Sequence, residues 1–152
     1  MRTSEQGLDL IARFEGYSPV PYLCPARVWT IGFGHAITRA DAQKFKAGIS
    51  KPVAMALLRA DAAIAERAVR RSIRLPLSQA QFDALVSFTF NLGGAALYSS
   101  TLRQVINRGD MQAAPAQIRK WVWGGGRKLP GLIRRRAEEA RIFAGDVIPA
   151  DR

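Results

Sequence analysis

At 152 residues, 48% hydrophobic and 23% charged, the chain suits a single folded domain, and it holds no apolar run long enough to span a bilayer as a helix. Its net charge of +11, shared by both halves, points to an anionic partner: nucleic acid, anionic lipid or cell-wall polymer. One cysteine, Cys24, and one histidine, His35, exclude an internal disulfide and a cysteine- or histidine-cluster metal site, and they argue against a histidine-centred triad.

Thr3 and Gln6 have capping-box spacing, and Leu8, Ile11 and Phe14 form the apolar stripe of a first helix that Gly16 ends. Residues 17–37 carry Pro19, Pro21 and Pro25. Val28, Trp29, Ile31 and Phe33 follow, interleaved with Gly32 and Gly34, which predicts a small antiparallel sheet. Thr38 with Asp41 is expected to cap a short helix over 39–47, and Gly48 to stop it. Ser50 opens the longest periodic segment. There Val53, Leu57, Ala60, Ile64 and Ala68 predict one helix face from about 51 to 73, ended by Leu75-Pro76.

Everything after this reads as helix. Ser78 and Gln81 make a second capping box before an almost wholly apolar helix that Gly93-Gly94 stops. Shorter helices are predicted at about 100–108 and 110–122, the latter kinked or divided by Pro115. Gly124-Gly125-Gly126 reads as a flexible break, and Pro130 starts a last helix to about Ala144 carrying Arg134, Arg135 and Arg136. A long helix between a sheet-bearing part and an all-helical part suggests a bridge between two lobes.

The chemistry gathers at the end of the first helix. The last turn of a helix is partly negative and disfavours an ionised carboxylate, so Glu15 beside Phe14 and an aromatic hairpin suits a proton donor unless a cation offsets it. Position alone favours a solvated Glu. What reverses that reading is spacing: Glu15, eight residues, Cys24, five residues, Thr30, within a run ending Thr-Ile-Gly-Phe-Gly-His. This pattern resembles the signature of the phage-type lysozymes, the endolysins of glycoside hydrolase family 24. Further blocks resemble them in order: Phe82-Asp83-Ala84-Leu85, Phe90-Asn91-Leu92-Gly93, Ser100-Thr101-Leu102, and Leu129-Pro130-Gly131-Leu132 with Arg134, Arg135 and Glu138.

The resemblance implies an α+β, mainly helical, two-lobed lysozyme-like fold with a small antiparallel sheet in the N-terminal lobe. It implies one domain over 1–152, with the hairpin lobe at about 14–60 and the helical lobe at about 61–152, on which the first helix is open to packing. The implied activity is hydrolysis of the β-1,4 bond between N-acetylmuramic acid and N-acetylglucosamine, with Glu15 as general acid and Thr30 and Cys24 managing water, and with neither metal nor cofactor. Phe90 and Thr101 are expected near the sugar cleft, and an Arg of the last helix is expected to steady the catalytic lobe. On the residues alone, Phe90 as core and a solvated Arg run are equal or better readings, and His35 reads as structural.

Most of the family has Asp where Cys24 stands. A thiol with an ordinary pKa of about 8.5 is mostly neutral at pH 7, and Arg27 is near enough in sequence to favour the thiolate. The pair of carboxylates usual in glycosidases is therefore not met within the motif. A lytic transglycosylase on the same polymer stays open as an alternative, as does, further off, a basic nucleic-acid-binding domain. Expected partners are peptidoglycan glycan strands, with no specific nucleic acid and the chain a monomer. Weak anionic membrane contact through Arg134–Arg136 with Trp121 and Trp123 is a secondary reading. The N-terminus lacks the apolar stretch of a signal peptide, which predicts retention in the host cytoplasm until a holin lesion opens the way to the wall.

Overall fold

The computed structural model describes residues 1–145. Helix α1 (Glu5–Glu15) leads into a three-stranded antiparallel sheet of β1 (Ser18–Leu23), β2 (Trp29–Gly32) and β3 (His35–Ala36), in that order. Tyr22 pairs with Thr30 and Leu23 with Trp29, and a bulge interrupts the register between Ser18 and Tyr22. Pro19 and Pro21 fall inside that bulge, where missing N–H groups cannot join a regular ladder. A 3₁₀ turn at Arg39–Asp41, α2 (Ala42–Phe45) and the long α3 (Lys51–Ser72) follow. Then come α4 (Gln79–Leu92), α5 (Gly94–Ser99), α6 (Thr101–Asn107), α7 (Ala114–Arg119), a hairpin of β4 (Trp123–Gly124) and β5 (Arg127–Lys128), and α8 (Pro130–Phe143).

One hydrophobic core unites Leu8, Leu10 and Ile11 of α1 with Phe82, Leu85 and Phe88 of α4 and Ile142 and Phe143 of α8. Burying each such side chain is worth roughly 1.5–3 kcal/mol. Helix α1 thus packs on α4 and α3, while β2 packs on α3. The architecture is α+β and mainly helical, with α3 joining the sheet to the helical body.

Several local expectations change. Ser4, not Thr3, caps α1: its hydroxyl accepts from Gly7 N–H at 3.1 Å, because Thr3 is spent on Glu66 of α3, giving Glu66 Oε1 both its N–H (2.8 Å) and its hydroxyl (2.7 Å). Ser4 N–H donates to Asp83 Oδ1 of α4 at 3.0 Å, and the Ser4 hydroxyl meets Asp83 Oδ2. Two buried carboxylates therefore grip the start of α1. Thr38 donates to the Asp41 carboxylate (3.0 Å) and caps no backbone N–H. On α3, Val53 and Ile64 are exposed, and the buried line is Ala54, Leu58, Ala62, Ala65 and Val69, where small side chains permit close packing.

The second half is not wholly helical. Gly125 (φ 58°) and Gly126 (φ 80°) form the two-residue turn of the β4–β5 hairpin, a backbone that glycine adopts at little cost. Helix α5 begins at once after Gly93, and Ser100 caps α6 by accepting from Arg103 N–H at 3.0 Å. Pro115 sits in the first turn of α7, where its missing N–H costs nothing. Among the described residues no helix is long and apolar enough to cross a membrane.

Candidate active site

Glu15 is the last residue of α1. Gly16, at φ 74°, donates its N–H to Ala12 O (3.0 Å) and turns the chain away, leaving the Glu15 side chain at the helix end. A cation does offset the helix end there: Arg135 Nη1 of α8 donates to Glu15 Oε1 at 2.7 Å. The helix end therefore does not by itself make Glu15 a proton donor, and its assignment rests on the match to the family's pattern. Glu15 Oε2 lies against Gly34, where an added Cβ would come within 2.9 Å of it. Gly34 also holds φ 78°, so both backbone and space demand glycine in the β2–β3 turn.

Arg135 is buried and well anchored. Its Nη2 donates to the Ser87 carbonyl (3.2 Å), its Nε donates to Glu139 Oε1 (3.2 Å), and the guanidinium stands 5.7 Å from the Phe14 ring centroid. The Ser87 hydroxyl gives Glu139 Oε1 a further bond at 2.8 Å. Arg136 lies on the other side of Glu139, its Nε 3.3 Å from Glu139 Oε2, with Asn91 as a second partner. Burial pushes the Glu139 carboxyl above its ordinary value against the pull of both guanidiniums. Burial likewise pushes Arg136 down to about 10, with Glu139 opposing the shift. The solvated-face reading of the Arg run holds only for exposed Arg134; Arg135 and Arg136 turn inward because Glu139 lies four and three residues on.

Cys24 and Thr30 form a second pair, on the sheet. Cys24 N–H donates to Val28 O at 3.0 Å, and Arg27, at φ 62°, donates its N–H to Cys24 O at 2.8 Å, which closes the β1–β2 turn. Hydrogen bonding from the Val28 backbone holds the Cys24 thiol below its ordinary value. Partial burial opposes this, while Ala26 and the Thr30 hydroxyl reinforce it. The shift comes from these groups rather than from Arg27, which is exposed. Thr30, buried in β2, has its hydroxyl 3.0 Å from Val28 O, so its proton has two acceptors in reach.

An open cleft of about 410 Å³ starts at Gly34 and runs past His35, Asp61 and Phe90 to Gly93 and Gly94. His35 Nδ1 is 2.8 Å from Asp61 Oδ2, tying β3 to α3, and its ring meets Phe45 edge-on at 5.7 Å. A second groove is lined by Arg13, Phe14, Glu15 and Arg134. Glu15 thus lines the second groove, and its carboxyl lies beside Gly34, which lines the first. Phe90 is half-buried and lines the cleft, whereas Thr101 is exposed at the start of α6 and is not part of the cleft lining. Among the described residues no hydrogen bond joins the Glu15–Arg135 pair to the Cys24–Thr30 pair. Sequence reasoning named an Arg of the last helix but did not single out Arg135; the Arg135–Glu139 spacing was its only signal.

The phage lysozyme family profile matches residues 12–139. The chain is 40% identical over 149 residues to the endolysin of Acyrthosiphon pisum secondary endosymbiont phage 1, a match covering 94% of this chain and 98% of that protein. It is 38% identical over 148 residues to the endolysin of Bacillus phage B103, covering 94% of this chain but only 54% of the relative's length. Among solved structures, the muramidase domain of SpmX from Asticaccaulis excentricus superposes with a TM-score of 0.83 at 36% identity, covering 93% of this chain and 97% of that one. Profile, relatives and fold agree, and the chain belongs to the phage lysozyme family.

Proposed function

We infer that the chain is a peptidoglycan-hydrolysing endolysin, a muramidase acting on the β-1,4 bond between N-acetylmuramic acid and N-acetylglucosamine. One observation supports the assignment of the acid: Glu15 ends a helix beside Gly34, which lines the cleft, with one oxygen held by a buried guanidinium and the other facing that glycine turn. In the proposed mechanism protonated Glu15 gives its proton to the departing sugar oxygen, and Arg135 steadies the carboxylate left behind. Thr30 orients the attacking water, since a hydroxyl both donates and accepts. Cys24, biased toward thiolate, accepts the proton that the water loses. Phe90 offers the sugar an apolar surface in the cleft, whereas nothing in the cleft lining supports a contact for Thr101.

The basic surface draws the protein, as a monomer, to anionic wall polymer. Passage to the wall through a holin-made lesion follows from the family reading, and lysis only on co-expression with a holin would support it. Anionic membrane contact remains a secondary proposal, removed by failure to bind anionic vesicles at low salt.

The deciding experiment is mass spectrometry of purified peptidoglycan digested by wild type and by Glu15→Gln. Reducing muramic ends from the wild type alone support hydrolysis with Glu15 as the acid. Anhydro-muramic ends would make the enzyme a lytic transglycosylase, and equal products from both proteins would sink the assignment of Glu15.

A further inference from the structure

The cleft does not stop at Gly93–Gly94. Arg71 and Gly94, at its far end, also line a third groove that continues to Tyr98 and Ser99. A Cβ on Gly94 would come within 2.9 Å of Ala68 Cβ, so α5 lies hard against α3 and the passage between the grooves has a floor of backbone and small side chains. Tyr98 is 60% exposed yet held in place. The Arg103 guanidinium stands 4.3 Å from its ring centroid and is itself fixed by hydrogen bonds to the carbonyls of Ser72 and Tyr98, each 3.2 Å. One face of the ring is backed and the other is open to solvent.

We propose that this third groove is a distal glycan subsite, in which Tyr98 stacks on the C–H face of an N-acetylhexosamine ring and Arg71 donates to its acetamido carbonyl or hydroxyls. The subsite rests on the reading of the cleft as the glycan site. A pyranose ring has an apolar face and a polar rim, which matches an aromatic ring bordered by a guanidinium and the Ser99 hydroxyl. A ring already immobilised by Arg103 loses little freedom on binding, so more of the contact energy is left for affinity. Continuity with the cleft favours a further sugar of the same strand over an unrelated partner.

The test uses bare glycan chains of four and ten sugars prepared from peptidoglycan. Their binding to Glu15→Gln with and without Tyr98→Ala is measured by calorimetry, and their cleavage by wild type and Tyr98→Ala is followed in parallel. The subsite predicts a loss that grows with length: roughly tenfold weaker binding and higher KM on the decasaccharide, and under twofold on the tetrasaccharide. Tyr98→Trp should restore the long-chain affinity, and Arg71→Ala should show a smaller loss of the same length dependence. Equal losses on both lengths, or none on either, would overturn the subsite. No cleavage by wild type, with length-dependent loss of binding in Tyr98→Ala, would refute the hydrolase reading and still support the subsite.

Discussion

Arg135 reaches Glu15 across 120 positions of sequence: its Nη1 lies 2.7 Å from Glu15 Oε1, while the rest of the guanidinium is held by Glu139 and the Ser87 carbonyl. The candidate acid is therefore oriented from the helical body. Arg135→Met should cost about 3–5 kcal/mol in urea unfolding, because it removes a cation from between two carboxylates, one of them fully buried. In the fraction that folds, kcat should fall about a hundredfold with KM little changed, the signature of a misplaced reacting group. Arg135→Lys should recover part of the kcat; a loss confined to KM would exclude this positioning role.

Gly34 meets Glu15 Oε2 from the other side. Gly34→Ala sets a Cβ 2.9 Å from that oxygen at a φ of 78°, so it should both destabilise the protein and displace the carboxyl. The backbone part is about 1–2 kcal/mol. Turnover should drop by more than the stability loss explains, which a comparison of thermal melting with specific activity on peptidoglycan would reveal. Equal turnover by wild type and variant would mean that Oε2 is free to move.

The Cys24 thiol is held below its ordinary value by the Val28 backbone first and by Ala26 and Thr30 after it. Its thiolate should accordingly be populated at lower pH than in a free cysteine. The rate of iodoacetamide alkylation, followed by mass spectrometry, should rise with pH through a midpoint below that of a free cysteine peptide measured alongside. Thr30→Val removes one contributor and should move that midpoint upward. For activity, Cys24→Ala should reduce kcat about a hundredfold, within the usual range for general base catalysis, and Cys24→Asp should restore it.

At the far end of α1, Asp83 takes a backbone and a side-chain bond from Ser4 and a third, at 2.8 Å, from Gln79. Asp83→Ala should cost about 1–3 kcal/mol for the buried donors it strands. Because α1 also packs through Leu8, Leu10 and Ile11, the folded variant should keep its specific activity within about twofold. A large activity loss in fully folded protein would show that this grip also sets the position of Glu15.

Much of this was legible in the chain. The Ser78–Gln81 box caps α4 as written, because both halves of a capping box lie within four residues and need no tertiary partner. The sheet was readable from its prolines and β-branched residues, whereas Glu15, Cys24 and Thr30 were candidates only through the resemblance that their spacing carries. What escaped depends on partners distant in sequence. Thr3 had the right chemistry for a cap but spends it on Glu66, and the buried line of α3 runs through alanines whose value is closeness rather than hydrophobicity. Arg135 and Arg136 resemble a solvated run until Glu139 and Ser87 are placed beside them.

The two candidate pairs ride on different parts of the molecule. Glu15 belongs to a helix clamped at its start by α3 and α4 and at its end by α8, whereas Cys24 and Thr30 belong to the sheet. The candidate acid and the candidate water-handling pair are thus carried by different elements, which meet where β2 packs on α3, where Glu15 lies against Gly34 and at the His35–Asp61 tie. A glycan seated along the cleft would lie against both elements at once, so the candidate reacting centre is completed by the packing between them and not by either element alone.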